Sequence, residues 1–245
     1  MTTTDVQSIT LKEIVKQNFH AAAVFEKYSL DFCCRGGKTI TEACSDKGVD
    51  ADSVVRDIMQ ISGAGQQTDN RFAEWDPSFL ISYIVNNHHA YVRKMVPVLR
   101  IHTQKIASVH GQNHPEVVKI AAHFQTVADD LLRHMQKEEA ILFPYITALL
   151  EAKKNGTAIA ASPFGSVGNP IKMMEAEHQN AGDEMYAIRE LSSLYTTPED
   201  GCTTYRVTYQ ELQDFERDLH QHVHLENNIL FPLAIALEQE LIARN

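Results

Sequence analysis

The chain has 245 residues, of which 44% are hydrophobic and 22% charged, so it is long enough for a medium domain with a smaller one and too apolar for disorder. Its formal net charge of −10 disfavours binding to nucleic acid or to anionic membranes. The N-terminal residues lack the basic and apolar regions of a secretory signal, so none is expected. Since the chain has four cysteines and no apolar run of roughly 18 residues, we expect a cytoplasmic protein without a disulfide scaffold or a membrane span.

Residues 1–61 are predicted to form a small helical domain. Thr10-Leu-Lys-Glu13 and Thr39-Ile-Thr-Glu42 have the spacing of capping boxes, in which threonine and glutamate satisfy each other's backbone donors. Between the helices that they begin lies a glycine-containing turn with two adjacent cysteines, and a further short helix is expected over 50–61. Residues 62–75 are mostly polar and predict a linker.

Residues 76–245 are predicted to form a bundle of four long helices. Asp76-Pro77 places an N-cap before a proline at the first helical position. His114-Pro115 and Asn169-Pro170 repeat this arrangement. The expected helices span 77–109, 115–154, 170–195 and 204–242. No segment alternates as a strand would, so the predicted fold class is all-α, with a four-helix bundle preceded by a small helical domain.

Two segments of the bundle match each other. His134 to Pro144 and His222 to Pro232 both read H-x-x-x-E-x-x-I-L-F-P. In each, the histidine and the glutamate are four residues apart, so they lie on one face of a helix and can reach one metal ion. Both pairs fall on the apolar seam of their helix, which for the second helix is predicted to run Val117, Ile120, Phe124, Val127, Leu131, His134, Glu138, Ile141, Tyr145. A buried carboxylate needs a cation nearby, so the repeat predicts a metal in the bundle core.

The other two helices each add one histidine. His178 lies on the seam of the third helix, whereas periodicity does not separate His88 from His89 in the first. The duplication favours His89, because His89 precedes His134 by 45 residues and His178 precedes His222 by 44. Four imidazoles and two carboxylates then converge on a dinuclear centre, and mixed nitrogen and oxygen ligation suits iron, with manganese or zinc as alternatives.

Other polar side chains near the seams have more than one interpretation. His220 and His224 fall off the seam and are expected to face solvent. Glu177 and Asp130 are candidates for carboxylates that hold the ligands, although structural roles are equally compatible with their positions.

In these residues and motifs the sequence resembles the repair of iron centres family, whose di-iron members repair iron-sulfur clusters. The resemblance rests on Leu30-Asp-Phe-Cys-Cys-Arg-Gly-Gly-Lys38 and on the two repeats, with further matches at Arg93, Pro97, Met174-Glu-Ala-Glu-His178 and Cys202-Thr-Thr. It covers nearly the whole chain in order, although the loop over 155–168 is long for the family. The family's metal positions fall on His89, His134, Glu138, His178, His222 and Glu226.

The resemblance implies a hemerythrin-like bundle with two non-haem irons, bridged by an oxo group and carboxylates, in a bacterial protein of nitrosative or oxidative stress. It would repair clusters by donating iron to damaged iron-sulfur proteins or to a cluster assembly scaffold, and a homodimer is compatible with it. Two alternatives stay open: an enzyme that reduces nitric oxide or peroxide at the centre, and a sensor that binds nitric oxide or oxygen.

Cys33 and Cys34 have two interpretations. They are small buried residues at a helical turn, or they are a thiol pair that Arg35 and Lys38 hold towards the thiolate form. A disulfide between adjacent cysteines is strained, so they are poor partners for each other. The family resemblance favours a thiol site that receives iron or reacts with nitric oxide or persulfide.

Overall fold

The computed structural model of the chain describes residues 7–32, 36–63, 72–159 and 162–244. Within these ranges there are helices and no strand, and a single isolated bridge joins Thr10 to Thr39. The all-α prediction is therefore confirmed. None of the helices in the described ranges has both the length and the apolar character that crossing a membrane requires.

The first compact unit consists of residues 1–80 together with 223–232. Its N-terminal helices are α1 (Leu11–Gln17), α2 (Ala21–Lys27), α3 (Ile40–Lys47) and α4 (Ala51–Gly63). Both capping boxes form, since the Thr10 and Thr39 amides each donate to the glutamate three residues later, at 3.3 and 2.8 Å. Where the sequence predicted one first helix there are two, because Asn18 is extended and its side chain accepts from the His20 amide.

Two of the sequence predictions concern residues beyond this description. Cys33 and Cys34, with Arg35 beside them, lie outside the described residues, and so do residues 64–71 of the expected linker. The thiol site therefore stays a prediction. The domain boundaries at 61 and 76 likewise stay a prediction.

The second compact unit consists of residues 81–222 together with 233–245. Four long helices are named here by their full spans: α5 (77–110), α6 (116–155), α7 (168–191) and α8 (203–242). In chain order they consist of the helical segments Pro77–Tyr83, Ile84–His89, Ala90–His110; Glu116–Lys137, Glu138–Leu142, Phe143–Asn155; Gly168–Leu191; Thr203–Leu225, Glu226–Leu230, Phe231–Ile242.

The helix ends lie within one residue of the predicted ends except around α7, although Pro115 is the N-cap of α6 and not its first residue. This helix begins at Gly168, so Asn169-Pro170 lies inside its first turn and does not cap it. It ends at Leu191 and not at the expected 195, because Ser193, Leu194 and Tyr195 have φ of 49°, 58° and 60°. Three left-handed residues in succession cannot continue a right-handed helix.

Three of these helices contain a π-helical turn, at Ile84–His89, Glu138–Leu142 and Glu226–Leu230. A π turn contains more residues than an α turn, so the residues after it change face. The predicted seam of α6 is consequently wrong at Ile141, which is 50% exposed, while the adjacent Leu142 is buried. Pro144 and Pro232 each lie at the second position of the helical segment that follows such a turn.

The interior of the second unit is apolar, and partly exposed hydrogen-bonded pairs link its helices. Phe124 of α6 packs edge-on against Phe215 of α8, with ring centroids 5.4 Å apart. Histidine–carboxylate pairs join α5 to α8 through His102 and Glu211, and α6 to α7 through His123 and Glu184, both at 2.6 Å. These hydrogen bonds link the helices that also carry a group of buried polar side chains.

Candidate metal centre

Six polar side chains are buried where an apolar core would otherwise continue. None is more than 1% exposed, and they are the six predicted from the sequence: His89, His134, Glu138, His178, His222, Glu226. Glu138 and Glu226 are the first residues of the π turns of α6 and α8, and His89 is the last residue of the π turn of α5. Because π turns redirect side chains locally, they are common at functional sites.

The imidazoles form two close pairs on either side of Glu138. Nε2 of His89 lies 3.1 Å from Nε2 of His222, and Nε2 of His178 lies 2.8 Å from Nε2 of His134. Oε2 of Glu138 is 3.4 Å from Nε2 of His89 and 3.3 Å from Nε2 of His134. One carboxylate oxygen thus lies within 3.4 Å of one imidazole from each pair.

Glu226 completes the donor set. It follows His222 by one turn of α8, as Glu138 follows His134 in α6. Two groups have all their ligand atoms within 4.8 Å of one another: His89, Glu138, His222, Glu226, and His134, Glu138, His178, Glu226. Both carboxylates belong to both groups, whereas each histidine belongs to one.

Two further carboxylates hold the imidazoles in place. Nδ1 of His89 is 2.6 Å from Glu139 and Nδ1 of His134 is 2.9 Å from Glu177. A carboxylate only accepts hydrogen bonds here, so each Nδ1 donates its proton and Nε2 is the nitrogen that would bind a metal. Glu177 was a candidate for this role on sequence grounds, whereas Glu139 was missed and Asp130 instead pairs with Arg133.

Glu139 could have been recognised from its place directly after a predicted ligand glutamate, but only if α5 were known to lie opposite. Burial raises its pKa, yet the hydrogen bonds and charges of His89 and Arg93 outweigh that effect and hold the pKa below its usual value. The balance at Glu177 is the same, with burial opposed by Lys137 and His134. Both carboxylates are therefore ionised and able to orient imidazoles near neutral pH.

The donor set fits metal ions. Two nitrogens bound to one ion at about 2.1 Å, with an angle near 90–110°, are about 3.0–3.4 Å apart, close to the spacings within both histidine pairs. Without a metal each pair of facing nitrogens is at hydrogen-bond distance, whereas the two glutamates buried among them need a cation to offset their charge. Imidazole and carboxylate together suit iron, manganese or zinc better than calcium or magnesium.

Three other histidines of this region take no part in these groups. His88 is buried, but its Nδ1 is 2.9 Å from Asp218. His224, expected in solvent, is 1% exposed: it approaches the Asn228 amide at 2.9 Å and Phe19 at a ring distance of 5.5 Å. Burial and the Lys16 charge lower its pKa to about 4. His220 is partly exposed.

Comparisons with known proteins match both parts of the chain. The family model described as "Hemerythrin HHE cation binding domain" matches residues 80–234, and that described as "Domain of Unknown function (DUF542)", named ScdA_N, matches residues 7–62. The iron-sulfur cluster repair protein ScdA of Staphylococcus haemolyticus is 33% identical over 219 residues, covering 89% of this chain and 94% of its own. This chain belongs to the iron-sulfur cluster repair protein family. The resemblance seen in the sequence is thereby confirmed.

Members from other bacteria are similar over the same extent. The iron-sulfur cluster repair proteins YtfE of Yersinia pseudotuberculosis and Yersinia pestis are each 31% identical over 215 residues, covering 88% of this chain and 91% of their own. The matched cation-binding domain contains all six buried side chains described above. The hemerythrin-like domain thus has a histidine and glutamate cluster that could hold metal.

Proposed function

We propose that this chain is a di-iron protein that repairs iron-sulfur clusters damaged by nitrosative or oxidative stress, and that it does so by donating iron. The observation that carries the proposal is the pairing of four buried imidazoles around shared carboxylates. The relatives' names supply the process, since they are called iron-sulfur cluster repair proteins.

In this proposal each of the two irons is held by one histidine pair. His89 and His222 hold one ion, His134 and His178 hold the other, and Glu138 and Glu226 bridge them together with an oxo group. When bound, the irons supply a reversible ferrous–ferric couple. The chain itself orients the imidazoles through Glu139 and Glu177 and excludes bulk water from the core.

Donation is compatible with the ligand chemistry. Neutral imidazoles and two carboxylates hold ferrous iron less tightly than a cage of thiolates would, because thiolate is the softer and more strongly donating ligand. The recipients would be damaged iron-sulfur proteins or a cluster assembly scaffold in the cytoplasm, with Cys33 and Cys34 as a thiol site on the way and nitric oxide or oxygen as small ligands. The protein could act as a homodimer.

The first test is the metal content of anaerobically purified protein, measured by plasma mass spectrometry. About two irons per chain are expected from the two ligand groups, and they should be lost in Glu138→Ala/Glu226→Ala. The matched control is Glu184→Ala/Glu211→Ala, which removes two carboxylates that also pair with histidines across helices, but outside the centre. One zinc per chain, or no metal, would rule out the di-iron proposal.

The second test separates donation from chemistry at the centre. An iron-sulfur enzyme damaged with nitric oxide should recover faster with the iron-loaded chain than with an equal amount of free ferrous iron. Equal recovery would exclude donation. Catalytic conversion of nitric oxide to nitrous oxide with an electron donor would instead indicate a reductase.

A further inference from the structure

Three buried histidines near the centre are oriented by a carboxylate at Nδ1. His89 is held by Glu139, His134 by Glu177 and His88 by Asp218, at 2.6, 2.9 and 2.9 Å. This carboxylate–histidine geometry is the one that prepares Nε2 to bind a metal. In His89 and His134 that nitrogen faces another imidazole of the centre.

His88 differs in what its Nε2 contacts. The side chain is 3% exposed, and its Nε2 has no hydrogen-bond partner among the described residues. The His88 ring stacks on His222, with centroids 5.6 Å apart and planes within 6°. An oriented, buried imidazole whose Nε2 has no hydrogen-bond partner among the described residues therefore lies directly beside a predicted ligand of the centre.

The three orienting carboxylates differ in charge compensation. Glu139 is bound by Arg93 and Glu177 by Lys137, so each has a cation at its outer side. Within the described residues, the only ion-pair partner of Asp218 is His88, and its buried Oδ2 accepts no hydrogen bond there. Asp218 is 22% exposed. Of the three carboxylate–histidine pairs, this one retains a negative charge that attracts a metal cation.

All six predicted ligands are buried, so an iron that leaves the centre must exchange them for other donors before it reaches solvent. We propose that Nε2 of His88, oriented by Asp218, is a transit ligand that takes up ferrous iron as it leaves or enters the centre. This inference rests on the proposed function, because only a donated metal needs such a route.

The step is a ligand exchange without redox change. One bond from ferrous iron to a ligand of the centre breaks, and a bond to the His88 Nε2 lone pair forms. The Nδ1 proton of His88 stays on the hydrogen bond to Asp218, so no proton needs to leave the ring. The Asp218 charge offsets the positive charge of the approaching ion.

The test measures the rate at which iron leaves the full-length, iron-loaded chain. The diferrous protein is mixed anaerobically with a chromogenic ferrous chelator, and release is followed by absorbance for wild type and for His88→Phe, which keeps an aromatic ring against His222. We expect release to slow by about tenfold, with the iron content of the purified protein unchanged. Asp218→Asn should slow it in the same direction and serves if His88→Phe does not fold.

The matched control is His102→Phe. His102 also joins α5 to α8 through a carboxylate, Glu211, but it is 30% exposed and lies outside the centre. Its release rate should equal that of wild type. Equal slowing in both variants, a His88→Phe rate within about twofold of wild type, or loss of iron from purified His88→Phe would each overturn the transit role.

The same measurements separate this inference from the proposed function. If wild type holds two irons and His88→Phe releases them at the wild-type rate, the transit ligand is excluded while donation still stands. If release slows in His88→Phe but neither protein restores a damaged cluster, repair is excluded while the transit ligand still stands. A wild-type protein without iron would overturn both.

Discussion

Glu139 shows how one partly exposed carboxylate can orient a fully buried imidazole. It accepts from Nδ1 of His89 and from the Arg93 guanidinium, so it joins a fully buried imidazole to an exposed cation. Outer carboxylates of this kind fix the tautomer and the rotation of a ligand imidazole and raise its basicity. We therefore expect Glu139 to act on a bound metal only through His89.

Glu139→Ala should lower iron affinity by about 10–100-fold, because His89 loses the partner that orients it. The measurement is competition for ferrous iron with a chelator of known affinity. Glu211→Ala removes the comparable partner of His102 and should leave iron affinity unchanged. Indistinguishable affinities for Glu139→Ala and wild type would exclude this orienting role.

Cys202 is a second residue whose environment changes its chemistry. It is exposed and directly precedes α8, and its Sγ lies 3.2 Å from Nε2 of His110. Hydrogen bonds from the Tyr205 amide and from His110 lower its pKa to about 7 from the ordinary 9.0. A lowered thiol pKa means that the thiolate is already abundant at neutral pH.

The rate of Cys202 alkylation by iodoacetamide should accordingly rise with pH and reach half its maximum near pH 7. Peptide mass spectrometry of the modified protein follows this residue separately from the other cysteines. His110→Ala should shift the midpoint upwards, and buried Cys44, whose pKa burial raises, should stay unmodified in the folded protein. A wild-type midpoint close to 9 would contradict the prediction.

At the scale of the helix, the π turns decide which residues are buried after the centre. A regular 3.6-residue period predicts the apolar seam of α6, and its residues from Val117 to Glu138 are buried as predicted. The π turn Glu138–Leu142 then breaks the period. The hydrogen bonds of a π turn span one residue more than those of an α-helix. This difference leaves no mark in the amino-acid composition, so hydrophobic periodicity could not have located the π turn.

This change of face gives opposite expectations for two neighbouring residues. Leu142→Ala removes a buried side chain and should lower the free energy of unfolding by about 2–5 kcal/mol. Ile141→Ala alters a side chain that is 50% exposed and should stay within about 0.5 kcal/mol of wild type. Urea unfolding of the metal-free protein measures both. A larger destabilisation by Ile141→Ala than by Leu142→Ala would mean that α6 has a continuous α-helical register.

At the scale of the whole molecule, the predicted ligands come from all four long helices. Without metal, four imidazoles and two carboxylates occupy the centre of the core and contribute no apolar packing there. A metal bound only by the folded state stabilises that state by mass action. We therefore expect a metal bound at the centre to stabilise the fold.

Ferrous iron at about 100 times its dissociation constant should stabilise the metal-free protein by about 2.7 kcal/mol. The thermal midpoint, followed anaerobically by circular dichroism, should rise accordingly. Glu138→Ala/Glu226→Ala should unfold at the same temperature with and without iron. A rise of equal size in that variant would place the stabilising metal elsewhere on the chain.

The sequence alone determined the all-α fold, the four long helices and the repeat of His-x-x-x-Glu, because helical period, caps and repeats are local properties of the chain. It could not separate His88 from His89 by period, and it placed Ile141 inside and His224 outside. Those features depend on which helix lies opposite. Glu139 and Asp218 approach their histidines from other helices, 50 and 130 residues away in the chain. Only tertiary packing brings such partners together and thereby distinguishes two adjacent buried imidazoles.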